Sequence, residues 1–239
     1  MLPAAGEGAD WFSPNALVAG AGGKRLFVTG KTGRGLLVWD GERAKVAGRL
    51  ALPAAPTGLA LAPDGRRLAV TCARPPGVLC LVDVGQGRVV RRAMAGHTPV
   101  APVYAPDGRV LAYADRFRAQ VVLADPANGA VQRRIPVPRE PISLAFTADG
   151  ARLLVAHHLP QGPATADRVA ATVSVVDVAQ GRVVRTIPLP NGSTTVRDIR
   201  VSPDGRLAAV VHVLARFQLP TTQLERGWMN TAALTLIDV

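Results

Sequence analysis

The chain reads as short runs of alternating apolar and polar residues, cut by glycine, proline and aspartate. TGLALAP at 57–63 leads into an Asp-Gly turn, and RRLAVTC at 66–72 leads out of it. Alternation with a period of two marks a half-buried strand. Asp-Gly between two such runs marks a hairpin, because its positive φ matches the twist of the flanking strands. No segment sustains a helical period.

Two elements recur. The turn reads APDGRRL at 62–68, APDGRVL at 105–111, TADGARL at 147–153 and SPDGRLA at 202–208, with AGGKRLF at 21–27 as a degenerate first copy. The second element ends in aspartate: LLVWD at 36–40, LCLVD at 79–83, VVLAD at 121–125, VSVVD at 173–177 and LTLID at 234–238. From one terminal aspartate to the next, the steps are 43, 42, 52 and 61 residues. The first two match the period of one propeller blade, and the excess in the others is assigned to loops.

Each repeat resolves into four short strands. Strand A precedes the Asp-Gly turn, B follows it, C ends at the aspartate, and D is opened by a Gly-Arg turn, as in GRVVRRAMA at 87–95 and GRVVRTIPL at 181–189. A single such sheet cannot bury both faces, and radial stacking solves that. The pattern therefore predicts an all-β chain, a β-propeller of about five four-stranded blades. The blades are expected at 13–52, 57–95, 99–137, 142–189 and 195–239, after an N-terminal arm at 1–12. The last blade is expected to lack its fourth strand, as part of a seven-bladed ring.

Composition adds charge. The chain has 28 Lys and Arg against 17 Asp and Glu, for a formal net charge of +11. The arginines recur with the repeat. Arg66, Arg109 and Arg206 follow the turns, and Arg88, Arg91, Arg134, Arg182 and Arg185 lie in the outer-strand pattern. Repetition spreads charge around a ring instead of gathering it in a stripe. With no groove-reading helix or stacking motif beside it, the charge does not argue for specific nucleic-acid binding. No run of 18 apolar residues is present, so no transmembrane segment is expected. Residues 1–12 have neither a basic n-region nor an apolar h-region, so they do not read as a signal peptide.

Candidate chemistry gathers on the face bearing the B–C connections. Segments 157–171 and 213–232 read as long B–C loops of neighbouring repeats. His157 and His158 end strand B of the fourth repeat and His212 ends strand B of the fifth. Imidazole is a common metal ligand, so His158 and His212 form a candidate two-histidine metal or haem-contact site. Arg197 and Asp198 begin the innermost strand of the fifth repeat, as a charged pair at the channel mouth. Arg116, in the short B–C loop of the third repeat, shares that face, as do Trp228 and Arg226 in the second long loop. These residues form the candidate binding face. No nucleophile–base constellation, Walker motif, dinucleotide motif or zinc-ligand spacing occurs, so no catalytic residue is assigned and enzymatic activity is left open.

The SPDGR, LxV, VxVxD and GxVVxTIPLP elements together resemble the YVTN-type β-propeller repeat family, over nearly the whole chain. HVLARFQLPTTQLERGWMNTAAL at 212–234, DRFRAQVVLAD at 115–125 and the cysteines of VTCARPPGVLCLVD resemble a subgroup of exported bacterial propellers joined to a c-type cytochrome domain. The resemblance implies a non-enzymatic scaffold and binding propeller in the periplasm or outside the cell. It also implies a protein partner or fused domain, including a c-type cytochrome. No CxxCH haem-attachment motif is present, so no cofactor is assigned to these residues and haem is implied only for a further domain. Two rivals share the architecture. WD40-type interaction platforms carry a GH…WD signature, broken here because Gly96-His97 and Trp39-Asp40 fall in different repeats. Lactonase-type hydrolases hold a divalent metal in the channel, for which Glu140 and Asp198 are the candidates.

The two cysteines are Cys72, ending strand B of the second repeat, and Cys80, in its strand C. A hairpin turning at Pro75–Gly77 is expected to bring them together as a disulfide, which fits an oxidising compartment.

Overall fold

A computed structural model describes residues 12–216 and 229–239. Its strands form five consecutive antiparallel sheets. Blade 1 holds β1 (Pro14–Ala19), β2 (Arg25–Gly30), β3 (Gly35–Asp40) and β4 (Lys45–Ala51). Blade 2 holds β5 (Ala55–Leu61), β6 (Arg67–Ala73), β7 (Val78–Asp83) and β8 (Arg88–Met94), and blade 3 holds β9 (Pro99–Tyr104), β10 (Leu111–Asp115), β11 (Gln120–Ala124) and β12 (Val131–Pro136). Blade 4 holds β13 (Pro141–Phe146), β14 (Arg152–His157), β15 (Thr172–Asp177) and β16 (Arg182–Pro188). Blade 5 has three strands among the described residues: β17 (Ser193–Val201), β18 (Leu207–Ala215) and β19 (Asn230–Asp238).

The recurring aspartates explain the turns. Gly65, Gly108, Gly150 and Gly205 take φ of 70, 71, 71 and 73°, the left-handed region that glycine enters without strain. The aspartate before each accepts the backbone N–H two residues on: Asp64 from Arg66 (2.9 Å), Asp107 from Arg109 (2.9 Å), Asp149 from Ala151 (2.9 Å) and Asp204 from Arg206 (3.1 Å). The aspartates ending strand C cap the next turn in the same way. Asp83 accepts Gln86 N–H (2.7 Å), Asp125 accepts Ala127 N–H (2.6 Å) and Asp177 accepts Gln180 N–H (2.9 Å). That backbone bond leads the causes that hold the Asp177 carboxyl below its ordinary value.

The described residues divide into two compact units, one of 12–116 with 122–133 and the other of 117–121 with 134–216 and 229–239. In the first unit one core packs Phe27 and Leu36 of blade 1 against Leu59, Leu68 and Val70 of blade 2. A second packs Ala69, Leu79 and Leu81 of blade 2 against Tyr104, Leu111 and Tyr113 of blade 3. In the second unit Leu154, Ala156 and Val173 of blade 4 pack against Ile199, Ala208, Val210 and Ile237 of blade 5. Alternate residues of each strand thus face opposite neighbours, which is why the inner strands are apolar on both sides.

One expectation fails here. Segment 213–232 is not loop at its ends. The hairpin of blade 5 runs on, with Val213, Leu214 and Ala215 paired to Ala232, Thr231 and Asn230. β18 and β19 are nine residues each, longer than their counterparts. The alternating HVLA run sustains the ladder beyond the usual blade height.

Candidate functional site

The described B–C end of blade 4 lies in the second unit. The 158–171 connection is tied down from several sides. Arg139 donates to Pro160 O (2.6 Å) and Arg168 to Leu189 O (2.7 Å). Asn191 accepts Val169 N–H (2.9 Å) and donates to Asp167 O (3.1 Å). Gly192 sits at φ 89°, where a Cβ would stand 2.3 Å from Ala215 O, so only glycine lets the chain pass here.

The three histidines do not form a shared site. His157 is fully buried, and its Nε2 is 2.9 Å from Ser174 Oγ of the next strand. Burial pushes its pKa down to about 4, against a smaller opposing pull from the nearby backbone of Arg139 and Pro138. His212 is 2% exposed; its Nε2 lies 2.8 Å from Thr235 Oγ1 and its Nδ1 3.3 Å from Val213 O. His158 turns its Nδ1 to Val196 O (2.9 Å) at the start of blade 5. Both ring nitrogens of His212 are engaged by its own blade. The pairing of His158 with His212 around a metal therefore lacks a free ligand atom on His212. No group of three or more His, Cys, Asp or Glu suited to a metal occurs among the described residues.

Arg197 and Asp198 also separate. A wide bulge in β17 sets Thr195, Val196 and Arg197 opposite the single residue His212, between the Thr194–Val213 and Asp198–Val211 pairs. Arg197 is exposed. Asp198 turns away from it and pairs with Arg200 Nε (3.0 Å), while its other oxygen accepts from Ser143 Oγ (2.6 Å) of blade 4. Arg116 lies in the first unit at the head of a short 3-10 turn, Arg116–Arg118, with its N–H bonded to Thr98 O (3.1 Å). Trp228 and Arg226 lie outside the described residues.

A pattern that sequence reading missed links the histidines to the cysteines. Seven residues after the glycine of each A–B turn stand Gly30, Cys72, Asp115, His157 and His212. Three residues before the aspartate of each strand C stand Leu37, Cys80, Val122, Ser174 and Thr235. Register makes these positions diagonal neighbours: Cys72 pairs with Val78 while Val70 pairs with Cys80, Val155 pairs with Ser174, and His212 pairs with Ala233 while Val210 pairs with Thr235. In blades 4 and 5 the diagonal is closed by a side-chain hydrogen bond, His–Ser and His–Thr, and in blade 2 it holds two thiols. In blade 3 Asp115 instead accepts the backbone of the preceding crossover, at His97 N (3.1 Å) and Thr98 N (3.4 Å). Aligning the repeats on their turns would have revealed the column.

At this address Cys72 and Cys80 stand as two buried free thiols. They are diagonal and not directly opposite, which the simple hairpin reading did not anticipate.

No family model matches the chain. Among solved structures, hydrazine synthase of Kuenenia stuttgartiensis superposes with a TM-score of 0.86 at 25% identity, over 96% of this chain and 64% of that one. The fold is that of a β-propeller. The β-propeller domain of Cps50 (Swd1) from Myceliophteria thermophila superposes with a TM-score of 0.68 at 16% identity, over 93% of this chain and 70% of that one, which speaks to the fold alone. A curated relative, hydrazine synthase subunit beta of Kuenenia stuttgartiensis, is 34% identical over 67 residues, 28% of this chain and 17% of the relative. The chain thus spans less than two thirds of the hydrazine synthase chain that it matches in structure. What the site offers is cationic and orienting. Its His157 and His212 are spent inside the sheets, and its exposed groups include Arg139, Arg168 and Arg197.

Proposed function

We propose that this propeller is a non-enzymatic binding scaffold within an exported multi-protein assembly, of the YVTN type, and that it serves an associated or fused c-type cytochrome. The observation that carries the reading is the likeness, over 96% of the chain, to hydrazine synthase, one of whose subunits is the curated relative. The B–C end of blades 4 and 5 is the docking surface in this reading. The 158–171 loop of blade 4 is held by side-chain-to-backbone bonds, so little ordering entropy is lost there on binding. Its arginines suit an acidic protein surface.

Blade 5 supplies a second contact. Leu234 and Leu236 of β19 are 61 and 59% exposed, whereas their counterparts in β7, Leu79 and Leu81, are 0 and 1% exposed. In this reading a further sheet of a seven-bladed ring covers that flank, which leaves the loop end for the partner.

The test is purification of the tagged protein from its native host at low and high ionic strength. A haem-staining c-type cytochrome should co-elute with it, in a complex that dissociates as salt rises and that Arg197→Glu weakens about tenfold. A haem-free preparation from the cytosol with no stable protein partner would overturn the proposal.

A further inference from the structure

We propose that Cys72 and Cys80 form a redox-reversible dithiol whose disulfide fastens β6 to β7 at the loop end of blade 2. The proposal is independent of the partner reading above. Three observations support it. The cysteines occupy the column in which blades 4 and 5 place His157–Ser174 and His212–Thr235, so this diagonal is an address where side chains of neighbouring strands meet. The two thiols face the same core from adjacent strands, one register diagonal apart. Both are fully buried in the core between blades 1 and 2, directly beneath the exposed residues Arg74, Pro75 and Pro76.

The surroundings differentiate the two sulfurs. The neighbouring Cys80 is the leading influence that raises the Cys72 thiol, with burial adding to it. Cys80 stands opposite Arg92 in the β7–β8 ladder, and its thiol is lowered, first by Cys72 and then by the Arg92 and Arg74 guanidiniums. This placement beside Arg92 assigns Cys80 as the attacking sulfur and Cys72 as the resolving one. With a small disulfide such as oxidised glutathione as oxidant, Cys80 attacks one glutathione sulfur and releases the other as a thiol. Cys72 then loses its proton and attacks Cys80 Sγ in the mixed disulfide, releasing the second glutathione. Two protein thiols and one small disulfide become one protein disulfide and two small thiols, and two electrons pass to glutathione. Because both sulfurs are buried, the first attack waits on local opening of the 74–77 connection.

The experiment equilibrates the native, folded protein in glutathione buffers of increasing oxidised-to-reduced ratio. It is followed by acid quenching, alkylation and intact-mass and peptide analysis. A single two-electron conversion to an intramolecular Cys72–Cys80 disulfide is expected, reversed by dithiothreitol, with the oxidised form melting about 5 °C higher. Two alkylated thiols in every buffer would overturn the proposal, as would accumulation of glutathione adducts or cross-linked dimers in place of the internal bridge. Cys72→Ser keeps a hydroxyl donor beside Cys80, and in that variant Cys80 should react with glutathione about tenfold faster than Cys72 does in Cys80→Ser. Equal rates would overturn the assignment of attacking and resolving sulfurs.

Discussion

Blade 2 and blade 4 place different chemistry at the same two positions of the same sheet. In blade 2 the diagonal between strands B and C joins two thiols, and in blade 4 it joins an imidazole and a hydroxyl. Both diagonals are fully buried, so shielding from water does not distinguish them. What differs is the variable to which each answers. A dithiol gains or loses two electrons and is nearly indifferent to mild acid. A buried neutral imidazole has no redox chemistry of this kind, but it must take up a proton once the chain unfolds. The repeat therefore specifies a place where two strands are fastened and leaves the fastening to the residues that occupy it.

The largest expected effect follows from protonation of His157. Its folded pKa is about 4, below the ordinary value of 6.5. The depressed value means that the folded state favours neutral imidazole. Its contribution is fully present above about pH 6.5 and falls progressively as the pH drops towards 4, because over that interval only the unfolded chain binds the proton. The loss is about 3 kcal/mol, from a shift of roughly two and a half units. Urea midpoints measured from pH 7 to pH 4 should fall accordingly, and His157→Gln should flatten that part of the profile. A profile unchanged by the substitution would show that the imidazole is not the buried neutral base described here.

Next in size are the partners of the two histidines, which test whether one address is worth the same in two blades. Ser174→Ala leaves His157 Nε2 unpaired in a dry interior and should cost about 2 kcal/mol. Thr235→Ala should cost about 1 kcal/mol, because Thr235 is only half-buried and His212 keeps its contact with Val213 O, so water can replace part of the loss. Chemical denaturation at pH 8 separates the two, and equal costs would mean that burial of the partner is irrelevant. Cys80→Ala under reducing conditions should cost about 1 kcal/mol, since a thiol is a weak donor and acts mainly as a small apolar filler. A far larger cost in reductant would make the reduced thiol pair a fastening in its own right.

Much of this molecule is legible along the chain, for a local reason. The Asp-Gly turns need one glycine at positive φ and one carboxylate within reach of an N–H two residues on, all inside four consecutive residues. The strand ends follow from such turns. The fastening column is harder to read. It joins residues on different strands, and only register shows that His157 meets Ser174 and that His212 meets Thr235 instead of His158. Position near a loop suggested ligands for a metal, whereas the His212 ring turns into its own blade and His158 meets the backbone of Val196. Similarly, adjacency in sequence suggested that Arg197 pairs with Asp198. The bulge in β17 rotates Arg197 away and leaves Asp198 to Arg200, two residues further along the same face.

That last ion pair sets the lower end of the scale. Arg200 and Asp198 are close, at 3.0 Å, but their side chains are 74 and 41% exposed, so water and salt compete for both charges. Exposed pairs of this kind contribute little, and Arg200→Ala should shift stability by only about 0.3 kcal/mol, a difference that disappears in high salt. The carboxylate of Asp198 keeps its second role after the substitution, because its Oδ1 still accepts from Ser143 Oγ and from Ile199 N–H (3.0 Å). Ser143 is 5% exposed, so Ser143→Ala should cost more than Arg200→Ala although it removes no charge. Urea titrations of the two variants at low and high ionic strength decide the matter. If Arg200→Ala cost as much as Ser174→Ala, the distinction between bonds inside the sheets and bonds on the inner-strand surface would fail.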